Sequence, residues 1–369
     1  MSHIDGFPMQ RRLAWVVYHS LTKELHATAR LEPARELAMQ GWDVSLIAPG
    51  EGGRQLVRGV EVQCVSMPGS FFLGQVVFHL KVIHLLLRHW ARLDLLLFHQ
   101  LSAPWLLPLR LVRLVTRRDR PLLVMDSRTV PMIVTTAKDR LRAWFFRLGN
   151  RMANRWADGQ TAITPGMAEA VQIPSEQLWG IWPSGVNPES FAPAQAARRW
   201  PKPEEPIRLI YIGVLDQVRN LMPLSLAMER ANAEGMAFVL SLVGHGGGMR
   251  ELQEFAAQTD GRLCVLPPVP HAQVPEVLAE AHVGVLPFPD QERLRVSSFI
   301  KLFEYMAAGL PILATEIAAH TDVMNGKDYV VWTDDASIEG LLEGLRLLWR
   351  ERASLEVMGR AAATDSQHW

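Results

Sequence analysis

The chain has 369 residues, and its 38 Lys and Arg balance 38 Asp and Glu, so the formal net charge is zero. This length suggests two domains, and a content of 49% hydrophobic and 21% charged residues excludes a disordered chain. The two cysteines, Cys64 and Cys264, exclude a disulfide scaffold and a Cys-rich zinc site, and they predict a reducing compartment.

The sequence predicts neither a secretory signal nor a membrane span. The N-terminal stretch MSHIDGFPMQRR has no apolar run before its basic pair. The longest apolar run, residues 76–87, contains His79, Lys81 and His84 and is too short to cross a bilayer. We therefore expect a cytoplasmic protein.

The first half of the chain alternates short apolar strands with helical stretches. Strands are predicted at residues 13–19, 43–48, 60–65, 93–99, 122–125, 160–164 and 178–182. Helical stretches lie between them near residues 73–91, 104–117 and 138–157. This alternation predicts a parallel sheet that is covered on both faces.

A proline-rich segment, residues 192–206, then interrupts the pattern and is predicted to be a linker. Further strands are predicted at residues 207–213, 238–243, 263–266, 283–286, 312–314 and 329–332, with helices near 222–234, 249–258, 274–281, 298–308 and 338–350. The chain is thus predicted to form two doubly wound α/β domains, residues 1–191 and 207–350, followed by a C-terminal segment, residues 351–369. Ligands bind at the carboxyl ends of the strands in such sheets.

The most informative motif is VSSFIKLFEYMAAGLP, residues 296–311. Ser297 and Ser298 are predicted to cap a helix that runs through Ala307, with Gly309 as its stop signal and Pro311 beyond. Lys301 and Glu304 are three residues apart, so they share one face of that helix. A helix N-terminus suits a phosphate, and a carboxylate can accept hydrogen bonds from the two hydroxyls of a ribose. The pattern favours a nucleotide site, although a capped surface helix with a Lys–Glu pair has the same spacing.

This motif resembles the donor-binding motif of the family 4 glycosyltransferases, whose members often read SSPIKLFEYMAAGKP. Four further segments are similar to the family in order and spacing: PSGVNPESF at 183–191, YIGVLDQVRNL at 211–221, LVGHGG at 242–247 and AEAHVGVLPF at 279–288. The resemblance implies the GT-B fold, with two Rossmann-like domains that face a cleft. It also implies that the first domain binds an acceptor and the second binds a nucleoside-diphosphate sugar, of the UDP or GDP type. The C-terminal segment is expected to cross back onto the first domain, as in relatives.

The resemblance also implies roles for single residues. Glu304 falls at the position that binds the nucleotide ribose. Arg219 falls where a cation neutralises the departing diphosphate, which develops negative charge during transfer. Ser297, Ser298 and Phe299 fall where backbone amides meet the diphosphate. Our further donor-site candidates are Gly213 and His245; His245 lies in a turn of the second domain, where a structural role is an equal alternative.

Two departures from the family pattern concern the donor site. Many members have an earlier glutamate where this chain has Val296, and an arginine where it has Val214. Lys301 is our candidate to replace the missing cation.

The family is expected to transfer sugars with retention of configuration, without a metal, a cofactor or a protein nucleophile. In agreement, the chain has no DxD, no HExxH and no Cys/His cluster.

Candidate acceptor residues follow strand ends in the first half. Asp126 and Arg128 come directly after one predicted strand and are our catalytic candidates on this side. His19 and His99 end two other strands, where a structural role is an equal alternative.

The zero net charge hides a division between the halves. Residues 1–200 contain 24 Lys and Arg against 15 Asp and Glu, a net of +9, and residues 201–369 contain 14 against 23, a net of −9. Residues 81–155 hold 15 Lys and Arg against 4 acids, interleaved with Trp90, Trp105, Trp144 and Trp156. We expect this region to attach to an anionic membrane surface, where relatives glycosylate lipid-linked acceptors. A core-packed helix with a solvated arginine face is the alternative, and no motif indicates nucleic-acid binding.

The sequence therefore predicts a hexosyltransferase of cell-surface polysaccharide or glycolipid synthesis, peripheral at the inner face of the membrane. Two alternatives share the fold. One is a nucleotide-sugar epimerase, which needs further acid/base residues around the donor sugar. The other is a non-catalytic nucleotide-sugar-binding subunit, which Val296 and Val214 favour.

Overall fold

A computed structural model describes residues 11–21, 28–69, 71–130 and 136–369 of the chain. Residues 1–10, on which the signal-peptide expectation depends, lie outside these ranges. The chain divides into two compact units, Met1–Pro183 and Ser184–Trp369. Each unit is built on its own sheet.

The first unit contains an eight-stranded sheet in the order β3-β4-β2-β1-β5-β6-β7-β8. Its strands are β1 Arg12–Val16, β2 Asp43–Pro49, β3 Gly53–Val57, β4 Val60–Val65, β5 Leu95–Phe98, β6 Leu122–Ser127, β7 Gly159–Ala162 and β8 Leu178–Ile181. All neighbouring pairs are parallel except β3 and β4, which are antiparallel. The predicted parallel sheet is therefore confirmed, with one antiparallel strand added at its edge.

The described part of this unit also contains the helices α1 Thr28–Met39, α2 Phe71–His89, α3 Leu106–Thr116, α4 Ala137–Trp156 and α5 Pro165–Ala170. Alternate strand residues point to opposite faces, so two separate cores form. Leu13 and Trp15 of β1 pack into one core together with Leu31 of α1. The other core joins Ala14 and Val16 to the buried sides of α2, α3 and α4. These three helices therefore cover the same face of the sheet.

The second unit contains a six-stranded, fully parallel sheet in the order β11-β10-β9-β12-β13-β14. Its strands are β9 Ile207–Val214, β10 Phe238–His245, β11 Leu263–Leu266, β12 Val283–Leu286, β13 Ile312–Thr315 and β14 Val330–Thr333. Its helices are α6 Ala192–Ala197, α7 Leu221–Ala233, α8 Met249–Ala256, α9 Val274–Ala279, α10 Glu292–Arg295, α11 Ile300–Ala307, α12 Ala318–Met324, α13 Ile338–Arg350 and α14 Leu355–Asp365. The predicted doubly wound α/β architecture is confirmed in both units.

The segment predicted as a linker, residues 192–206, differs in the structure. Its first part forms α6, and the unit boundary lies earlier, between Pro183 and Ser184. Phe191 and Ala194 are buried in the core of the second unit, which anchors this segment there. The prolines suggested a linker, but Pro193 stands in the first turn of α6, where a proline costs no helical hydrogen bond.

Arg198 anchors the same segment through backbone carbonyls. Its buried guanidinium donates hydrogen bonds of 2.6 to 2.9 Å, and the acceptors are the carbonyl oxygens of Leu278, Ala281, Ala308 and Gly309. Burial lowers the pKa of Arg198 to about 10, still far above neutrality, so the side chain stays charged. One side chain thus supplies donors to four buried acceptors.

We expect Arg198→Met to destabilise the second unit by about 2–4 kcal/mol, because four carbonyl oxygens lose their donors in a buried place. The free energy of unfolding in urea measures this loss. Arg199→Met, at the exposed neighbouring position, is the matched control and should change the free energy by less than about 0.5 kcal/mol. Equal free energies for the two variants would contradict this role for Arg198.

The C-terminal helix packs on the second unit. Lys327 and Tyr329 contact Asp365 of α14 at 2.7 and 2.6 Å, and the Trp369 ring lies 5.5 Å from that of Phe303 in α11. A contact of residues 351–369 with the first unit stays a prediction. Among the described helices, none is long and apolar enough to pass through a bilayer.

Candidate functional site

The candidate site lies at the carboxyl edge of the second sheet. β9 is flanked by β10 on one side and by β12 on the other, so the strand order reverses beside it. Ligands of open α/β sheets bind at such a reversal, outside the carboxyl ends of the strands. Six of the predicted site residues belong to elements at this edge: Gly213, Arg219, His245, Phe299, Lys301 and Glu304.

Gly213 and Gly244 allow the two central strands to approach closely at their ends. Gly213 has a φ of 154° and Gly244 a φ of 152°, and a Cβ atom on Gly244 would lie 1.8 Å from the carbonyl oxygen of Gly213. Only glycine fits this pairing. The next residue, His245, ends β10 with an exposed side chain. Its carbonyl accepts from the amide of Leu215, which ties the two loops together.

The predicted capping role of Ser297 and Ser298 is wrong. α11 begins at Ile300, its N-cap is Phe299, and no side chain caps it. Ser297 Oγ donates instead to the carbonyl of Arg293, and Ser298 Oγ accepts from the amide of Ser184. Both hydroxyls thus hold the chain that enters α11. The first N–H groups of a helix lack the acceptor four residues earlier. In α11 the Leu302 amide donates to the Phe299 carbonyl, and no side chain caps the helix start.

Glu304 lies inside the same helix and is almost fully buried, with 1% of its side chain exposed. Lys301 Nζ lies 2.8 Å from its Oε2, so the predicted shared face is confirmed. His271 Nε2 lies 3.5 Å from its Oε1. His271 follows β11 in the chain and was not predicted from the sequence, because a single histidine 33 residues before Glu304 carries no local signal.

The environment of Glu304 keeps it ionised and leaves one oxygen unused. Burial acts to raise its pKa, but the charge of Lys301 and the nearby His271 together hold the pKa below its usual value. The 3.5 Å separation from His271 is too long for a good hydrogen bond, and neither Glu304 Oε1 nor His271 Nε2 has a hydrogen-bond partner among the described residues. A buried carboxylate oxygen beside an unpaired ring nitrogen is suited to a ligand hydroxyl.

Arg219 is held by aromatic rings after β9. Its Cζ lies 5.1 Å from the ring centroid of Phe288 and 5.6 Å from that of Phe299. The closest carboxylate oxygen recorded for it, Asp216 Oδ1, is 3.8 Å from Nε, too far for a hydrogen bond. The guanidinium is therefore positioned by cation–π contacts, and its donors are not taken up by this carboxylate.

His320 of α12 completes the aromatic group and was also not predicted. Its ring centroid lies 5.6 Å from those of Phe288 and Phe299, and Nδ1 lies 2.8 Å from the carbonyl oxygen of Thr315. Burial lowers its pKa to about 4, so the ring is neutral at pH 7. Its ring therefore supports the aromatic surface on which Arg219 lies.

In the first unit, Asp126 and Arg128 form an ion pair at the end of β6, with Arg128 Nε 2.7 Å from Asp126 Oδ2. Thr161 Oγ1 and Trp182 Nε1 donate to the other oxygen of Asp126, at 3.0 and 2.9 Å. Both acid oxygens are thus engaged within the protein. The predicted proximity of the two residues is confirmed, and their catalytic role stays a prediction.

The two histidines predicted at other strand ends, His99 and His19, differ in burial. His99 is buried and its Nδ1 accepts from the amide of Leu101, so it caps the turn that follows β5. Burial holds its pKa well below its usual value. His19 is exposed, 3.8 Å from the Tyr18 ring. The structural alternative therefore holds for His99.

Comparisons with known proteins match both halves of the chain. Residues 31–190 match the family model described as Glycosyltransferase Family 4, and residues 206–351 match the one described as Glycosyl transferases group 1. No curated protein sequence matches.

Among solved structures, the chain is similar to sucrose-phosphate synthase from Thermosynechococcus elongatus, with 14% identity, a TM-score of 0.73, and coverage of 97% of this chain and 94% of the other. It is also similar to WaaG, a glycosyltransferase involved in lipopolysaccharide biosynthesis, with 16% identity, a TM-score of 0.67, and coverage of 97% and 95%. The third is HepE from Anabaena in complex with UDP-glucose, with 13% identity, a TM-score of 0.69, and coverage of 97% and 94%. These similarities show that the chain has the same fold as these three proteins.

Proposed function

Because the chain is a glycosyltransferase of the group 1 and family 4 type with the GT-B fold, we propose that its second unit binds a nucleoside-diphosphate sugar. We further propose that the sugar passes to a glycan or lipid-linked acceptor bound by the first unit. The observation that carries the donor proposal is the unused oxygen of the buried, ionised Glu304.

A nucleoside diphosphate fits the two features that α11 combines. The ribose hydroxyls donate to Glu304 Oε1, which satisfies a buried acceptor that the described protein groups leave open. The diphosphate lies at the N-terminus of α11, where the helix dipole and free N–H groups of the first turn favour an anion. The backbone amides of Ser298 and Phe299 lead into that turn.

The nucleotide is proposed to be of the UDP or GDP type. HepE, which shares the fold, was solved with UDP-glucose and with UDP alone. Gly213 and His245 lie on the strands whose ends border this site, so we place them beside the donor.

We propose transfer with retention of configuration, without a metal or a cofactor. The bond between the anomeric carbon and the diphosphate oxygen breaks as the acceptor oxygen attacks the same face. The departing diphosphate takes the acceptor proton. Arg219, fixed on Phe288 and Phe299, stabilises the negative charge that develops on the leaving oxygen. Lys301, paired with Glu304, adds a second positive charge near the helix start.

A panel of sugar nucleotides tests this function. The full chain is incubated with UDP- and GDP-linked hexoses and a mixture of glycan acceptors, and nucleoside diphosphate release is followed together with the anomeric configuration of the product by NMR. We expect release that depends on acceptor, with the donor configuration retained. Interconversion of donor sugars without release indicates an epimerase, and binding without turnover indicates a non-catalytic subunit; either result rejects the proposed transfer.

We propose that the acceptor lies at a membrane surface. Exposed apolar side chains of the first unit support this proposal. The outward sides of α2, α3 and α4 carry Leu73, Val76, Leu80, Leu87, Leu107, Leu111, Leu114, Val115, Leu141, Trp144 and Phe145. Trp90 and Trp105 are buried in the core instead, so they take no part. Arg117, Arg118 and Arg147 are exposed among these helices, and apolar groups beside cations suit an anionic bilayer surface.

We expect the full chain to float with vesicles that contain anionic phospholipid and to detach at high salt. Combining Leu114→Glu with Trp144→Glu should lower the bound fraction about tenfold or more, because both side chains are about half exposed or more and each change adds a negative charge. Val357→Glu, at an exposed position of α14 in the second unit, is the control and should float like wild type. Equal flotation of all three proteins contradicts attachment through this face.

A further inference from the structure

Two arginines of the first unit lie on one pair of tryptophans. Arg128 Cζ is 4.2 Å from the ring centroid of Trp182, and Arg30 Cζ is 5.6 Å from that of Trp15. The two tryptophan rings stack at 5.4 Å. No sequence pattern joins these residues, because they come from α1, β1 and the segments after β6 and β8. The fold therefore assembles two guanidiniums at one place.

Positive charge exceeds negative charge among the groups named at this place. Asp126 supplies one carboxylate, and Arg128, Thr161 and Trp182 already occupy both of its oxygens. Burial, and then the like charge of Arg128, lower the pKa of Arg30 to about 10, although Asp126 acts in the opposite direction. Arg30 therefore remains charged at pH 7.

Arg128 also has a donor without an acceptor. Its side chain is 5% exposed, yet Nη2 is buried and makes no hydrogen bond within the described residues. Buried N–H groups are nearly always paired, and a guanidinium N–H is especially costly to leave unpaired. An unpaired donor of this kind indicates a ligand oxygen.

The position suits a ligand. β1 and β6 end here, at the carboxyl edge of a parallel sheet, where ligands of such sheets bind. The Arg128 side chain is almost fully buried and Arg30 is half-buried, and the half-buried Tyr18 and the exposed His19 follow β1 at the same edge. The neighbouring His99 is held neutral by burial and adds no charge.

We propose that Arg30 and Arg128 bind a phosphate group of the acceptor. Planar guanidinium forks match phosphate oxygens, and three such oxygens can accept from two forks at once. The assignment to the acceptor rests on the proposed function, whereas phosphate binding by this unit does not. The shared chemistry is a phosphate ester, which a sugar phosphate or a lipid-linked diphosphate can supply.

Calorimetric titration of the full chain with inorganic phosphate tests the binding. The Arg219→Ala variant serves as the background because it lacks one cation of the second unit's candidate site, and the part of the binding that depends on Arg30 and Arg128 is assigned to the first unit. Phosphate should still bind, and Arg30→Gln and Arg128→Lys should each weaken it about tenfold or more, because each removes charge-assisted hydrogen bonds. Arg128→Lys keeps a cation beside Asp126 and so guards against unfolding. Arg54→Gln, on exposed β3, is the control and should bind like the background.

The proposal fails if the Arg219→Ala protein does not bind phosphate, or if Arg30→Gln and Arg128→Lys bind it as tightly as Arg54→Gln does. Acetate that binds as tightly as phosphate also overturns it, because a simple excess of charge would then explain the result. None of these measurements needs donor or turnover, so a failure of glycosyl transfer leaves them unaffected.

Competition assigns the source of the phosphate. Glucose 6-phosphate and geranyl diphosphate are each titrated against bound inorganic phosphate in the same background. Displacement of phosphate by glucose 6-phosphate supports a sugar-phosphate acceptor, and displacement by geranyl diphosphate supports a lipid-linked acceptor. In either case the displacement should be lost in Arg30→Gln. If neither displaces phosphate, the assignment to the acceptor is rejected.

Discussion

Replacing Glu304 with glutamine is expected to weaken nucleoside diphosphate binding about 10–100-fold. The carboxylate is the buried acceptor that we assign to the ribose hydroxyls, and hydrogen bonds to a charged acceptor contribute about 1.5–3 kcal/mol. Glutamine keeps the shape of the side chain but removes its charge and leaves Lys301 without its partner. Calorimetric titration with UDP and GDP measures the loss.

A matched control separates this effect from general damage. Glu339 in α13 also pairs with a cation, Arg230, at 2.7 Å, but its side chain is 75% exposed. Glu339→Gln should bind nucleotide like wild type. Far-UV circular dichroism and the unfolding midpoint should show both variants folded. Unchanged affinity in folded Glu304→Gln would place the nucleotide elsewhere.

Arg219→Ala is expected to lower kcat about 10²–10³-fold while changing donor affinity much less. The guanidinium is assigned to charge that develops on the leaving diphosphate, and groups of this kind act mainly in the transition state. Steady-state kinetics with the donor found in the panel measures kcat, and titration measures affinity.

Two further variants sharpen the assignment of Arg219. Arg219→Lys keeps the charge but loses the planar contact with Phe288 and Phe299, so we expect an intermediate kcat. Arg250→Ala removes a 90% exposed arginine of the same unit and should leave kcat unchanged. A fall in affinity as large as the fall in kcat would make Arg219 a ground-state binding residue instead.

Much of the fold could be predicted because apolar runs mark buried parallel strands. β4, β11 and β12 begin and end at the predicted residues. The missed strand, β3, reads GRQLV and is exposed at the sheet edge, so it has neither the apolar run nor the burial on which such a prediction depends. Local sequence therefore predicts the strands that contain an apolar run, including the edge strand β11, and misses the exposed β3.

The candidate site was predictable only where its residues are close in sequence. Lys301 and Glu304 pair because they are one helical turn apart. His271, His320 and Arg30 reach their sites through tertiary contacts, which no spacing in the sequence describes. The serines before α11 have the composition of caps, but contacts with Arg293 and Ser184 occupy their hydroxyls. The N-cap prediction failed because it considered local partners alone.

The most direct test of the account compares nucleotides with and without ribose hydroxyls. UDP and GDP, and their 2′,3′-dideoxy forms, are titrated into wild type and Glu304→Gln. For the nucleotide that binds, we expect removal of the hydroxyls to weaken binding to wild type about tenfold or more. The same removal should weaken binding to Glu304→Gln very little, because the two changes remove the same contact. Equal losses in the two proteins would contradict a ribose contact at Glu304.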